Sequence, residues 1–411
     1  MLDPHKFDVL IVGAGQAGGQ LACGLRMAKF EGSIGLIGDE ADPPYERPPL
    51  SKDYLMGEKS RERLYLRNDD FWENQQIDLK LQQRVVSIDP IEQTVTTDKG
   101  NLFSYGSLVW AAGGTPKSIP LPRISPDRVF TIRTLADIDR LNAKLSHIEN
   151  IAIIGGGYIG LEAAAVFRKL GKGVDLVEVA PRLLSRVAAA EMSDFLLKVH
   201  GDHGVRFHLG MSVQDITDGD PLTLHLNTQT SIDADIVIIG IGIEPTITPL
   251  AEAGAEIGNG IHVNAFCQSS LPNIYAIGDC VSFKSPYAND HWVRLESVQN
   301  ANDQAKVVVQ HILGREKAYT AVPWFWSDQY DLKLQTIGLT HGYDNVILRG
   351  DPQTNSFSLV YFRKNLVCAI DSINRPLDFA QGRLLLGKAI DQKDPRLKEI
   401  SIPFKELLDH P

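Results

Sequence analysis

Phe7-Asp8-Val9-Leu10-Ile11-Val12, followed by Gly13-Ala14-Gly15-Gln16-Ala17-Gly18, is the stretch that decides the fold. Six mostly apolar residues predict a buried strand, and the glycine cluster opens a helical pattern that runs to about Lys29. A second strand, Ile34 to Ile37, then leads to Asp39 and Glu40. The pattern recurs: strand Ile151 to Ile154, Gly155-Gly156-Gly157-Tyr158-Ile159-Gly160, a helix to about Leu170, and strand Val174 to Val177 ending at Glu178. In each copy an acid follows the glycines by about twenty positions, the spacing of a dinucleotide-binding βαβ unit. A single glycine cluster often only links a strand to a helix. Strand, glycines, helix and acid occurring twice predict two nucleotide sites.

Each glycine has its own physical task. The first makes the tight turn, the second lets the backbone approach a pyrophosphate, and the third lets helix and strand pack closely. The helix start then offers unpaired N–H groups and partial positive charge to the phosphates. Other apolar strands also run into Gly or Pro: Leu108 to Ala112, Asp235 to Gly240 and Ile274 to Ile277. Such exits are where α/β domains hand the chain to a neighbour. From about Trp324 the pattern changes to short alternating segments, Lys333 to Ile337, Ser356 to Phe362 and Leu366 to Ile370, which read as an antiparallel sheet.

A chain of 411 residues is too long for one ordinary core, so two or three domains are expected. The formal net charge of -10 speaks against a nucleic-acid binder or a polybasic membrane anchor. The polar N-terminus, Met1 to Phe7, does not read as a signal peptide, and no apolar run approaches the ~18 residues of a membrane span, so a cytoplasmic protein is expected. Cys23, Cys267, Cys280 and Cys368 include no CxxC pair. His200, His203 and His208 straddle a glycine turn without a fourth partner, so no metal site is expected.

Two nucleotide sites suggest one cofactor that stays and one that visits. The combination resembles the two-dinucleotide flavoproteins of the glutathione reductase type. More narrowly it resembles the NADH-dependent ferredoxin reductases that serve bacterial Rieske oxygenases and some cytochromes P450. The resemblance is carried by Tyr45-Glu46-Arg47-Pro48-Pro49-Leu50-Ser51-Lys52, Gly157-Tyr158-Ile159-Gly160-Leu161-Glu162, Tyr275-Ala276-Ile277-Gly278-Asp279-Cys280, Trp292-Val293-Arg294-Leu295-Glu296-Ser297-Val298 and Trp324-Phe325-Trp326-Ser327-Asp328-Gln329. It covers nearly the whole chain. Disulfide reductases of the wider family carry a dithiol soon after the first βαβ unit; here that stretch has no cysteine, so electrons must leave the flavin directly.

The resemblance implies an α/β fold with two Rossmann-like dinucleotide-binding domains and a C-terminal α+β domain. An FAD-binding domain would comprise 1–113 and 246–322, an NADH-binding domain 114–245, and the C-terminal domain 323–411. FAD would be held tightly by Gly13, Gly15, Ala17 and Gly18, with Asp39 near the adenosine ribose and Glu40 as the alternative. Arg47, Lys52, Val85, Arg133, Asp279, Val298 and Trp324 would complete its site. Asp279 has a second reading as a helix cap. NADH would visit Gly155, Gly157, Ile159, Gly160 and Gly242, with Glu178 selecting the ribose and Arg186, together with Arg182, flanking the adenosine. Tyr158 would cover the nicotinamide pocket or serve as a core aromatic. Lys52, Glu162, Glu296 and Tyr158 would form the catalytic set, with Lys52 and Glu162 paired.

The resemblance further implies hydride transfer from NADH to FAD, then single electrons to a small [2Fe–2S] ferredoxin. Rubredoxin, a quinone or oxygen as acceptor, or a flavoprotein that uses NADH to bind a partner, are the alternatives. The electrons would leave near Trp324 and Trp326, with Arg294, Arg315, Lys317 and Lys333 as cations for an acidic acceptor. A monomer or weak homodimer without nucleic-acid or membrane partners is expected.

Overall fold

The computed structural model describes residues 5–120 and 124–408; the start of the polar N-terminal stretch, residues 1–4, lies outside them. The chain divides into two compact units. The first comprises Met1–Arg47, Arg61–Thr115 and Glu244–Pro323; the second comprises Pro48–Ser60, Pro116–Ile243 and Trp324–Pro411.

In the first unit, strands Ile77–Lys80, Ile34–Ile37, His5–Val12 and Leu102–Trp110 lie side by side and parallel, and Ile274–Ala276 joins Leu102–Trp110. A parallel sheet is covered on both faces, so its strands are nearly continuous apolar runs, as Val9 to Val12 and Ile34 to Ile37 are. Helix Gln16–Met27 packs on helix Val298–Ile312, burying Leu21, Ala22, Leu25 and Val308 between helices and sheet. The hairpin Val85–Asp89 with Thr94–Thr97 extends the sheet antiparallel from the start of Leu102–Trp110. A second, four-stranded sheet contains Gly260–Val263, Val281–Ser285 and His291–Val293.

The second unit repeats the plan and adds to it. Its parallel sheet runs Val205–Leu209, Gly173–Glu178, Asn150–Ile154, Ile236–Ile239 and Val129–Phe130. A small antiparallel meander, Val213–Thr217, Leu222–Leu226 and Ser231–Ala234, covers one side of it. The alternating segments after Trp324 form the expected antiparallel sheet, in the order Trp324–Gln329, Leu332–Gly338, Leu366–Ile373, Ser356–Arg363 and Asn345–Asp351.

Two features depart from the three-way division drawn on the sequence. The C-terminal sheet does not stand apart but belongs to one unit with residues 116–243. Buried polar groups join them: the Ala189 N–H donates to the Tyr361 hydroxyl at 3.1 Å, and His200 Nε2 bonds Gln329 Oε1 at 2.8 Å. Residues 48–60, read as part of the FAD-binding domain, also pack with the second unit, because their polar side chains find partners there. Tyr54 donates to Asp139, and Ser51 and Lys52 engage Glu162.

All four cysteines are free and buried. Burial pushes the Cys280 thiol up to about 12 and the Cys368 thiol to about 11, so neither is a ready thiolate. Among the described residues no helix is long and apolar enough to cross a membrane.

Candidate functional site

The two glycine loops have the same geometry. Gly13 sits at φ +113°, and a Cβ there would lie 2.2 Å from the Ala111 carbonyl oxygen. Gly155 sits at φ +115°, with a Cβ position 2.4 Å from the Gly240 carbonyl oxygen. Only glycine fits either position. The third glycines are as constrained: a Cβ on Gly18 or Gly160 would come within 2.0 Å of the carbonyl oxygen of Gly13 or Gly155. The middle glycines differ. Gly157 has nothing within 4 Å of a Cβ position, and a Cβ on Gly15 would meet only the Arg47 guanidinium, at 3.9 Å.

Gly15 and Gly157 are also the N-caps of helices Gln16–Met27 and Tyr158–Lys169. Neither helix has a side-chain cap or an acid in its first turn. Each loop therefore presents an open backbone surface at the positive end of a helix, a fit for a pyrophosphate.

Around the first loop the unit gathers residues that are far apart in sequence. Gly278, at φ +82°, places its Cα so that a Cβ would lie 3.2 Å from the Ala17 methyl group. Its N–H donates to Gln304 Oε1 at 2.7 Å, and Gln16 Nε2 donates to Asn302 Oδ1 at 2.8 Å. Loop, Gly278–Asp279 turn and the first half of helix Val298–Ile312 thus share one locus. Buried Gln16 Oε1 and Gln304 Nε2 have no protein partner there, the signature of a place for a polar guest. Asp279 lies in a short 3-10 turn, Gly278–Cys280, capped by Ile277 rather than by its own side chain, so the helix-cap reading falls. Val298 is the first residue of its helix, after the Ser297 cap, with no acid in the first turn.

Of the two acids offered for the ribose, Glu40 is engaged by the Tyr45 hydroxyl at 2.6 Å and by Arg47. Asp39 is exposed and pairs with Arg84 at 3.1 Å. Val85 is buried in the first unit. Arg133 belongs to the second unit, and Glu296, also in the first, pairs with Arg294 at 2.7 Å. Arg294 is nearly enclosed and bonds the Asp279 carbonyl as well, so it is not a free docking cation.

At the second loop Glu178 does something the sequence did not reveal. Its carboxylate accepts from the Gly156 N–H at 2.6 Å and the Ala180 N–H at 2.7 Å, bracing the glycine loop. Arg182, expected to flank the adenosine, is tied to the Ala188 and Ser185 carbonyls and Ser193 Oγ. Arg186 is exposed, as are Ile159 and Gly242, the latter at φ +100°. Tyr158 is half-buried, its ring centre 4.6 Å from that of Phe325, and burial with the nearby Asp371 carboxylate pushes its phenol up.

The expected ion pair is present. Lys52 Nζ lies 3.1 Å from Glu162 Oε1, 3.8 Å from Asp328 Oδ2 and 5.9 Å from the centre of the Trp326 ring. Glu162 is only 3% exposed and takes two further bonds, from Ser51 Oγ and Ser327 Oγ, each at 2.6 Å. Burial pushes its carboxyl up, against the opposing pull of Lys52 and the two hydroxyls. Ser51 and Ser327 were not singled out from sequence, although both lie inside quoted motifs and a buried carboxylate needs donors. Trp324 lies 5.6 Å from Trp326, ring centre to ring centre. The three histidines are separately engaged: His200 with Gln329, His203 stacked on Tyr330 at 3.7 Å, and His208 with Asp175 at 2.9 Å.

Comparison with known proteins agrees with this geometry. Residues 7–305 match the pyridine nucleotide-disulphide oxidoreductase family, and residues 324–408 match the reductase C-terminal family. The ferredoxin reductase subunit of a 5,5'-dehydrodivanillate O-demethylase from Sphingobium sp. is 50% identical over 98% of each chain. Putidaredoxin reductase of Pseudomonas putida is 38% identical over 98% of this chain and 96% of its own. A crystal structure of the covalent putidaredoxin reductase–putidaredoxin complex superposes with a TM-score of 0.93 at 37% identity, covering 98% of each chain. Such membership implies FAD and NAD(P)H as cofactors, which the two open glycine loops fit. The chain belongs to the pyridine nucleotide-disulphide oxidoreductase family, among its ferredoxin reductases with a reductase C-terminal domain.

Proposed function

We propose that this chain takes hydride from NADH onto FAD and passes single electrons to a small [2Fe–2S] ferredoxin that feeds an oxygenase. The observation that carries the reading is likeness over the whole length to reductases whose names specify a ferredoxin or an oxygenase system. Bound FAD supplies a hydride acceptor that gives up its electrons one at a time.

The chain's own residues hold and orient. Gly13, Gly15, Ala17 and Gly18 offer backbone to the FAD pyrophosphate, with Arg47 beside it. Asp39, held only by the exposed Arg84, meets the ribose in preference to Glu40, which Tyr45 and Arg47 engage, while Asp279 and the Val298 N–H serve the rest of the cofactor. The positive end of helix Val298–Ile312 favours negative charge nearby. Gly155, Gly157 and Gly160 take the NADH pyrophosphate, and Tyr158 covers the nicotinamide pocket. Lys52, paired with Glu162, serves the hydride step. The FAD-binding role goes to 1–113 and 246–322 without the 48–60 segment, and the NADH-binding role to 114–245. We place the protein in the cytoplasm as a monomer or weak homodimer; four free, buried thiols suit a reducing compartment.

The test is NADH-driven cytochrome c reduction with and without added [2Fe–2S] ferredoxins. A ferredoxin-dependent rate is expected. Brisk ferricyanide reduction with no response to any ferredoxin would remove the acceptor assignment.

Two predictions address the nicotinamide site. Gly157→Ala meets no atom and no forbidden backbone angle, so the melting temperature should hold while NADH affinity falls at least tenfold, through a methyl placed where phosphate lies. Titration calorimetry reads the affinity and a thermal scan the melting temperature; unchanged affinity would move the pyrophosphate elsewhere. NADH should be preferred to NADPH, because Glu178 meets the 2′-phosphate with like charge. Glu178→Ala should narrow that preference, and, because it also frees the Gly156 N–H, should weaken NADH binding. Stopped-flow reduction with both nucleotides would show equal rates in the wild type if the assignment is wrong.

A further inference from the structure

We infer that His200 and Gln329 are positioning residues that hold Glu162 as a carboxylate through Ser327, and so keep Lys52 in place. The inference rests on the reading of the Lys52–Glu162 pair as part of the hydride site, and goes beyond it to residues that touch neither member of the pair. The observation is a continuous buried row of polar groups. Tyr330 hydroxyl to His200 Nδ1 is 3.3 Å, His200 Nε2 to Gln329 Oε1 is 2.8 Å, Gln329 Nε2 to Ser327 Oγ is 3.1 Å, and Ser327 Oγ to Glu162 Oε1 is 2.6 Å. His200 and Ser327 are fully buried and Gln329 nearly so. Ser327 and Gln329 lie two apart on strand Trp324–Gln329, so the same face of the strand carries both.

The direction of every bond follows from one end. An ionised Glu162 has no proton to give, so Ser327 donates to it. Ser327 Oγ then needs a donor, which Gln329 Nε2 provides, leaving Gln329 Oε1 to face His200. His200 must therefore carry its proton on Nε2 and offer a lone pair at Nδ1 to the Tyr330 hydroxyl. All four bonds point toward the carboxylate, an arrangement in which each polarises the next. A neutral imidazole is required throughout, and burial holds His200 near 4, well below the usual histidine range. The charged and titratable groups around the row are Lys52, Asp328 and Tyr158 near Glu162, His203 near His200, and Arg168 and Lys169 near Tyr330.

The test is difference infrared spectroscopy of the purified holoenzyme during acid titration. The protonated carboxyl band of Glu162 is identified by its loss in Glu162→Gln. His200→Phe fills the site but removes the donor; His200→Gln keeps an N–H where Nε2 lies. In His200→Phe the band should grow in at about one pH unit above the wild-type value, a tenfold change in the protonation equilibrium. His200→Gln should restore the wild-type titration, which a packing role alone would not produce, and Gln329→Leu should match His200→Phe. A His200→Phe titration identical to wild type, or a His200→Gln titration identical to His200→Phe, would overturn the inference. If the band moves as expected while the pH profile of flavin reduction does not follow, the array stands and the placing of the pair in the hydride step falls.

Discussion

Lys52→Met should slow flavin reduction by NADH roughly a hundredfold while changing NADH affinity little, because positioning errors near a reacting centre act on the rate. The same change leaves Glu162 in a site where it is only 3% exposed, with two hydroxyl donors but no counter-charge. Removing one member of a buried pair costs about 3–5 kcal/mol, so the variant should also unfold at lower denaturant. The sign of its pH dependence is fixed by burial. Glu162 is raised already in the wild type and rises further without Lys52, so the folded form binds the proton more tightly than the unfolded form. Stability lost at neutral pH should therefore return as pH falls through the raised value. Adding Glu162→Gln to Lys52→Met should recover stability at pH 7 without recovering the rate. Stopped-flow reduction and urea titration read the two effects separately; a single variant as fast as wild type would show that the pair has no part in hydride transfer.

Arg349→Met should cause a loss of stability as large as that expected at Lys52. Arg349 is fully buried, its Nε 3.1 Å from Asp378 Oδ2. The other guanidinium nitrogens hold the carbonyls of Arg396 at 3.2 Å, Leu397 at 3.3 Å and Ile402 at 2.6 Å, and the group lies 4.4 Å from the Phe404 ring centre. One side chain thus pins residues 396–404 to the C-terminal sheet, in a stretch whose regular structure is only short 3-10 turns. Asp378 keeps Arg375 at 3.3 Å, but three carbonyls lose their donor. A loss of about 3–5 kcal/mol is expected, with early proteolysis after residue 390. A change within ~1 kcal/mol and an unaltered digestion pattern would contradict this account.

Sequence patterns were sufficient where a local rule is strict. The strands His5–Val12, Ile34–Ile37 and Gly173–Glu178 and the helices Gln16–Met27 and Tyr158–Lys169 were readable within a few residues, because a buried parallel strand and a glycine turn each impose their own signature. Less was readable where structure depends on partners. The hairpin Val85–Asp89 with Thr94–Thr97 and the meander of Val213–Thr217, Leu222–Leu226 and Ser231–Ala234 went unread, since short half-exposed strands carry weak periodicity.

By itself, then, the sequence determined two nucleotide-binding βαβ units, the antiparallel C-terminal sheet and, through motif resemblance, the pairing of Lys52 with Glu162. Only the tertiary structure decided that residues 48–60 join the second unit, that Glu178 braces the Gly156 N–H, that Arg182 is held by its own loop, and that His200 lies on a polar row ending at Glu162. The reason is physical. Periodicity and glycine placement express what each segment requires of its own backbone, whereas a buried polar atom is satisfied by whichever donor the folded chain brings within about 3 Å. Ser51 and Ser327 reach the same carboxylate from positions 111 and 165 residues away, and no local pattern encodes a separation of that kind.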